Sequence, residues 1–220
     1  MGINACRSWV FDCDGVILDS NPLKSRAFYQ VSLPYGGKKA EAFLRYHQGH
    51  GGISRFEKFR YFFEVILGRE NYREEMEGLL ANYGALVREG MLEAAETPHL
   101  REFLDGIPAG TRRYVLSGGS QEELREILRK RDLSRYFDGI FGSPESKDAI
   151  LTTMIARDEI PLPALFIGDS RYDYEVAGKH GLCFIFMSGF SEFKGGIAFF
   201  RKIPEVRIIR NLGDLCKGSS

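Results

Sequence analysis

The chain has 220 residues, 44% of them hydrophobic and 27% charged, and its 30 Lys and Arg balance its 30 Asp and Glu. This composition fits a globular protein of one domain, or of one domain with a sizeable insertion, and zero net charge offers no electrostatic ground for a nucleic-acid or membrane partner. No apolar run approaches membrane-spanning length, and residues 1–7 lack the basic start and long apolar stretch of a secretory signal, so a cytoplasmic location is expected. Cys6, Cys13, Cys183 and Cys216 are scattered without a C-x-x-C pair, which suits structural thiols in a reducing compartment.

The first element is a short apolar strand, Ser8-Trp9-Val10-Phe11, followed at once by Asp12-Cys13-Asp14-Gly15. Residues i and i+2 of an extended segment point to one side, so the two carboxylates should face one another as the strand ends. Such a pair persists if a cation bridges it, if one member keeps its proton, or if both lie in water as part of a turn, which the Asp-Gly step would suit.

A long region without strand signals follows. A helix is expected over 22–31, with Ser20 or Asn21 as its cap and Pro22 in its first turn. A second is expected over 38–46, between Gly36-Gly37 and the run Gly49-His50-Gly51-Gly52. From Ile53 the residues Phe56, Phe59, Phe63, Ile66 and Leu67 recur at three and four, an amphipathic stripe for core packing. Another helix is expected over 72–88. His47 and His50 flank glycines with no cysteine or acidic partner close by, so they read as an exposed loop rather than a zinc half-site.

Beyond residue 92 strands alternate with helices. Strands are expected over 113–116, 164–167, 183–187 and 206–209. Helices are expected over 98–104 and 121–130, the second with Ser120 as N-cap and Glu123 three residues on, and further helices after Ser143-Pro144-Glu145 and over 174–180. Alternation of this kind predicts an α/β fold, a doubly wound parallel sheet covered on both faces. The helical stretch between the first two strands is too long for an ordinary crossover. Residues 1–18 and 93–220 should therefore form a Rossmann-like core and residues 19–92 an inserted, all-helical cap.

Ligands of such sheets bind outside the carboxyl ends of the strands. Those ends carry Asp12 and Asp14 after the first strand, Ser117-Gly118-Gly119-Ser120 after the second, and Gly168-Asp169-Ser170-Arg171-Tyr172-Asp173 after the strand at 164–167, with Lys147 at a helix start. Carboxylate oxygens suit a hard cation such as Mg²⁺, which would bridge Asp12 and Asp14. Amides around Gly118, the hydroxyl of Ser117 and the ammonium of Lys147 suit a phosphate. With phosphate so placed, one carboxylate of the pair can attack phosphorus while the other handles a proton.

These motifs resemble those of the haloacid dehalogenase-like superfamily with a helical cap of the C1 type, in its phosphoglycolate phosphatase and β-phosphoglucomutase branch. Asp12-Cys13-Asp14-Gly15-Val16 corresponds to the first family motif, Val115-Leu116-Ser117-Gly118 to the second, Lys147 to the third, although without the common Lys-Pro-x-Pro form, and Gly168 to Asp173 to the fourth. The resemblance implies that Asp12 is the nucleophile forming an aspartyl-phosphate. It implies that Asp14 is the general acid and base and lends its backbone carbonyl to Mg²⁺. Asp169 would be a direct metal ligand, Asp173 a second ligand or its support, and Ser117, Gly118 and Lys147 would hold phosphate.

The expected function is Mg²⁺-dependent hydrolysis of a small phosphorylated metabolite, such as a sugar phosphate, by a monomer or weak dimer. A phosphomutase is the nearest alternative, because Gly52-Ile53-Ser54-Arg55 resembles the loop by which β-phosphoglucomutases hold a second phosphate. Against it, Lys24 stands where those mutases have histidine and Gly168 where they have glutamate. A dehalogenase would lack Asp14, and a non-catalytic phospho-ligand module would not need a nucleophile beside a metal. Arg55, in the first turn of its helix, is a cation where the macrodipole disfavours one, so an anionic group of the substrate is its expected partner. Lys24 is expected near the substrate as well.

Overall fold

The computed structural model describes residues 5–216. Six strands form one parallel sheet: β1 (Ser8–Phe11), β2 (Arg112–Ser120), β3 (Gly139–Ser143), β4 (Ala164–Gly168), β5 (Cys183–Met187) and β6 (Arg207–Ile209), in the spatial order β3-β2-β1-β4-β5-β6. The chain winds outward from β1 on one side and returns to β1's other edge through β4, so the order reverses beside β1. That reversal is where an open α/β sheet leaves a crevice for ligands.

Side chains alternate across the sheet, as period-two strands require. Trp9, Phe11, Val115 and Ile167 enter one apolar core, whereas Val10, Tyr114, Leu116 and Phe166 enter the other. Helices α5 (Leu100–Asp105), α6 (Gln121–Lys130), α7 (Lys147–Ala156), α8 (Arg171–Lys179), α9 (Gly196–Phe200) and α10 (Gly213–Cys216) surround the sheet. Among the described residues no helix is long and apolar enough to cross a membrane.

Between β1 and β2 the chain is helical: α1 (Asn21–Ser32), α2 (Gly37–Gly49), α3 (Arg55–Tyr61), a π-helical turn (Phe62–Ile66) and α4 (Arg73–Glu93). Aromatic rings bind these helices to one another. Phe28 lies 4.2 Å from Tyr83 between ring centroids, and Phe43 stacks on Phe62 at 4.6 Å. These rings are all buried, and pairs of this geometry add to the free energy of burial itself.

Four details differ from the sequence reading. Strand β3 was not anticipated, because Gly-Ile-Phe-Gly-Ser carries few strand formers; its pairing with β2 supplies the order. Helix α2 runs through to Gly49 and buries His47, which is thus a core residue, while His50 stays exposed at the helix end. The buried face of α3 and its continuation is Arg55, Lys58, Phe59, Phe62 and Phe63, and Phe56 is only half-buried. Ser20 stands at the N-cap position of α1 without capping it, since its hydroxyl is turned to Asp14.

Candidate active site

The register of the sheet assembles the site. Phe11 is level with Val115 on one side and Ile167 on the other, and the Asp12 amide donates to the Ile167 carbonyl. Asp12 and the residues that follow β4 therefore leave the sheet side by side. Carboxylate oxygens of Asp12, Asp169 and Asp173 all lie within 4.8 Å of one another, in side chains that are buried.

Three anions so close need cations, and Lys147 at the start of α7 provides one. Its ammonium, itself buried, lies 2.9 Å from Asp12 Oδ1 and 2.6 Å from Asp173 Oδ1. Burial disfavours its charge, but Asp12 and Asp173 outweigh that and raise its pKa. One ammonium does not suffice for all three carboxylates. Burial, with Asp173 and Asp14 adding to it against Lys147, brings Asp12 up to about 7, and burial with Asp12 and Asp173 pushes Asp169 well above the carboxylate range.

Asp14 does not face Asp12 as strand alternation suggested. It accepts from Lys24 Nζ at 2.5 Å and from Ser20 Oγ at 2.5 Å, with Ser117 Oγ at 3.5 Å. Burial alone would raise its pKa; Lys24 and the two hydrogen bonds hold it below the usual value. Each aspartate of the pair thus has its own lysine, Lys147 for Asp12 and Lys24 for Asp14. Gly15 makes the turn possible: its φ is +74°, and a Cβ there would meet Asn21 Nδ2 at 2.6 Å and the Asp169 carboxylate closer still.

At the end of β2 the pairing with β3 shifts register between Leu116 and Ser120, which splays Ser117-Gly118-Gly119 out of the ladder. Ser117 Oγ accepts from the Gly119 amide at 3.0 Å. Gly118 meets the helical insertion so closely that a Cβ would lie 2.7 Å from the Gly52 carbonyl oxygen and 2.8 Å from that of Ile53. The insertion is also tied to the sheet layer by Ser143 Oγ on Ser54 Oγ at 2.8 Å.

The donor set fits a hard divalent cation. Asp12 Oδ1 is taken by Lys147 and the Cys13 amide, and Asp169 Oδ2 by Asn21 Nδ2, which leaves one carboxylate oxygen on each. Asp173 is more fully committed: Oδ1 to Lys147, and Oδ2 to the amide and hydroxyl of Ser170 in a capping box on α8. The free oxygens belong to Asp12 and Asp169, and Asp173 orients the groups around them.

From the insertion side come Lys24, Arg55, Lys58 and His47, which with Asp12, Asp14 and Gly118 line a cavity of about 40 Å³. Arg55 already has an anion. Its guanidinium is bidentate on Glu123 of α6, at 3.1 and 2.6 Å, and lies over Tyr83 at 5.0 Å. The partner expected from a substrate is thus supplied by the protein, and Glu123, expected to close a capping box, spends its carboxylate across the interface. Lys58, hydrogen-bonded to His47 at 2.9 Å, was missed in the sequence, and His47 was read as an exposed loop residue. The signal was available, for Lys58 sits in phase with Arg55, Phe59, Phe62 and Phe63 on the buried face.

Comparison with known proteins agrees with this architecture. The sequence profile of the haloacid dehalogenase-like hydrolases matches residues 7–181. A phosphorylated carbohydrates phosphatase of Thermotoga maritima is 25% identical over 185 residues, 79% of this chain and 81% of that protein. A haloacid dehalogenase-like family hydrolase from Streptococcus pneumoniae superposes with a TM-score of 0.67 at 19% identity, covering 96% of this chain and 97% of the other. A β-phosphoglucomutase from Clostridium difficile superposes with a TM-score of 0.71 at 17% identity, covering 95% and 92%. Matched over most of its length and carrying that fold, the chain belongs to the haloacid dehalogenase-like hydrolase family.

Proposed function

We propose that the protein is a Mg²⁺-dependent phosphatase of a small phosphorylated carbohydrate, acting through an aspartyl-phosphate on Asp12. The observation that carries this reading is the buried pair Asp12 and Asp169 at the ends of the adjacent parallel strands β1 and β4, with the ammonium of Lys147, at the start of α7, on Asp12. The Thermotoga maritima relative, named for phosphorylated carbohydrates, supports the substrate class. Asp12 and Asp169, backed by Asp173 and by the Asp14 carbonyl, would hold Mg²⁺, whose charge offsets that of the phosphate.

The chain's own residues do the rest. Lys147, the Ser117 hydroxyl and the amides near Gly118 hold the phosphate in line with Asp12. An oxygen of Asp12 bonds to phosphorus as the bond to the leaving oxygen breaks. Asp14, ionised beside the Lys24 ammonium at 2.5 Å, relays a proton from that ammonium to the leaving oxygen, and Lys24 recovers it in the second step. Asp14 then takes a proton from water, which attacks phosphorus and releases Asp12 and inorganic phosphate. The helical insertion acts as the cap that keeps bulk water out during the first step. A phosphomutase would need Arg55 for a second phosphate, and Glu123 holds that guanidinium.

The test is phosphate release from an aryl phosphate and from a panel of phosphorylated sugars and acids, with Mg²⁺ and with chelator. Release that depends on Mg²⁺ and favours the sugar phosphates is expected; none from any compound under either condition would overturn the reading.

A further inference from the structure

Two of the three basic side chains in the small cavity have carboxylate partners: Lys24 has Asp14, and Arg55 has Glu123. Lys58 has none. It is 4% exposed, and its one hydrogen-bond partner among the described residues is His47 Nδ1. When Lys58 is an ammonium it has only donors, so Nδ1 accepts and the imidazole proton is on Nε2, toward Glu192 Oε2 at 3.9 Å. That contact is not an ion pair, because burial and then Lys58 hold the His47 pKa well below its ordinary value. His47 therefore fixes Lys58 without neutralising it.

A buried cation without an anion is costly: burial, then Lys24, brings the Lys58 pKa down to about 7, and an anion bound beside it would restore its full charge. On the opposite wall Asp14 is paired with Lys24 and Asp12 with Lys147, and the oxygens left open on Asp12 and Asp169 are those a bridging Mg²⁺ would take. In the phosphatase reading the reacting phosphate would lie on the sheet side with Lys147 and Ser117, whereas Lys58 comes from the insertion, on the side from which a leaving group would project.

We propose that Lys58, positioned by His47, binds an oxyanion carried by the leaving group, so that the preferred substrate is a phosphorylated sugar bearing a second anionic group. This rests on the phosphatase reading above. A carboxylate and a second phosphate share the required chemistry, and the choice of substrates separates them.

The experiment compares kcat/KM on phosphogluconate, on a hexose bisphosphate and on the neutral hexose monophosphate, for the wild-type chain, Lys58→Met and Lys58→Arg. The wild type should favour one anion-bearing substrate over the neutral sugar by about 30-fold or more, as expected for a desolvated charge pair. Lys58→Met should erase that ratio and Lys58→Arg keep most of it, with melting temperatures showing all three folded. The anion-bearing compound that wins identifies the oxyanion. No preference in the wild type, or an unchanged ratio in Lys58→Met, overturns the proposal. If no compound is hydrolysed, the phosphatase reading fails by itself. Calorimetry with phosphogluconate then decides this one: binding weakened by Lys58→Met sustains it, and binding equal in both proteins, or absent from both, ends it.

Discussion

The two walls of the cavity are built on opposite principles. The sheet side gathers Asp12, Asp169 and Asp173 around Lys147, with Asp14 held apart by Lys24, an excess of carboxylates at the ends of rigid strands. The insertion side gathers Lys24, Arg55 and Lys58 on helices packed by aromatic rings, an excess of positive charge. Each wall lacks what a Mg²⁺ phosphatase with an anionic substrate would bring to it. The difference teaches that burying unbalanced charge, which weakens a fold, can be read as the imprint of a ligand.

The sharpest way to break this contrast is on the acidic wall. Asp12→Asn should lower phosphate release by about 10⁴-fold or more, as removal of a nucleophile does, while the melting temperature stays high. A variant retaining near-native turnover would remove Asp12 from the covalent step. Asp169→Ala comes next. With one of two uncommitted carboxylates gone, Mg²⁺ affinity by calorimetry should fall about 100-fold, by analogy with the loss of metal-site groups. Unchanged affinity would place the ion elsewhere.

Across the interface the expected effects are smaller. A double-mutant cycle of Arg55→Met and Glu123→Gln, read by denaturant unfolding, should show a coupling of about 1 to 2 kcal/mol for this largely buried bidentate pair. No coupling would free Arg55 for the role in substrate selection that its position first suggested.

The smallest effect has the opposite sign. Lys58→Met removes an unpaired buried charge and should stabilise the fold by about 1 kcal/mol at neutral pH. Burial, then Lys24, brings the Lys58 pKa from 10.5 down to about 7, against the attraction of Asp14 and Asp12 and with Lys147 opposing its charge as well. Between those values the unfolded chain binds the extra proton and the folded one does not, so wild-type stability rises with pH there. The advantage of Lys58→Met should accordingly be greatest below about pH 7 and shrink toward pH 10.5. A gap independent of pH would mean that Lys58 has the same pKa in the folded as in the unfolded chain, so that burial does not disfavour its charge.

Much of the acidic wall was legible in the sequence because strand ends are simple. An apolar run that stops at a carboxylate fixes both the strand and the direction of its ligand, and β5 was read from Cys183 to Met187 as it stands. The basic wall was harder, because helical phase must be known to one residue. A stripe centred on Phe56 and Phe59 hides Lys58, whereas the true face from Arg55 to Phe63 exposes it as a charge among rings. His47 was misplaced for a related reason: Gly49 looked like a break, but α2 runs through it and carries the imidazole inward. Partner choice was not legible either. Nothing in the local sequence of Glu123 distinguishes a capping box from a bond to an arginine 68 positions away.

The close approach of Gly118 to the carbonyls of Gly52 and Ile53 carries a consequence for traffic. A cavity of about 40 Å³ admits a few waters but not a sugar phosphate, and backbone touching backbone leaves no side chain to swing aside. A larger cavity of about 250 Å³ lies next to it, sharing Asn21, His47, Gly51, Ile53 and Asp169, and forms an antechamber to the outside. Passage from antechamber to inner chamber requires the two layers to part, so a catalytic cycle would be timed by that parting, and turnover should slow in proportion to solvent viscosity when chemistry is fast.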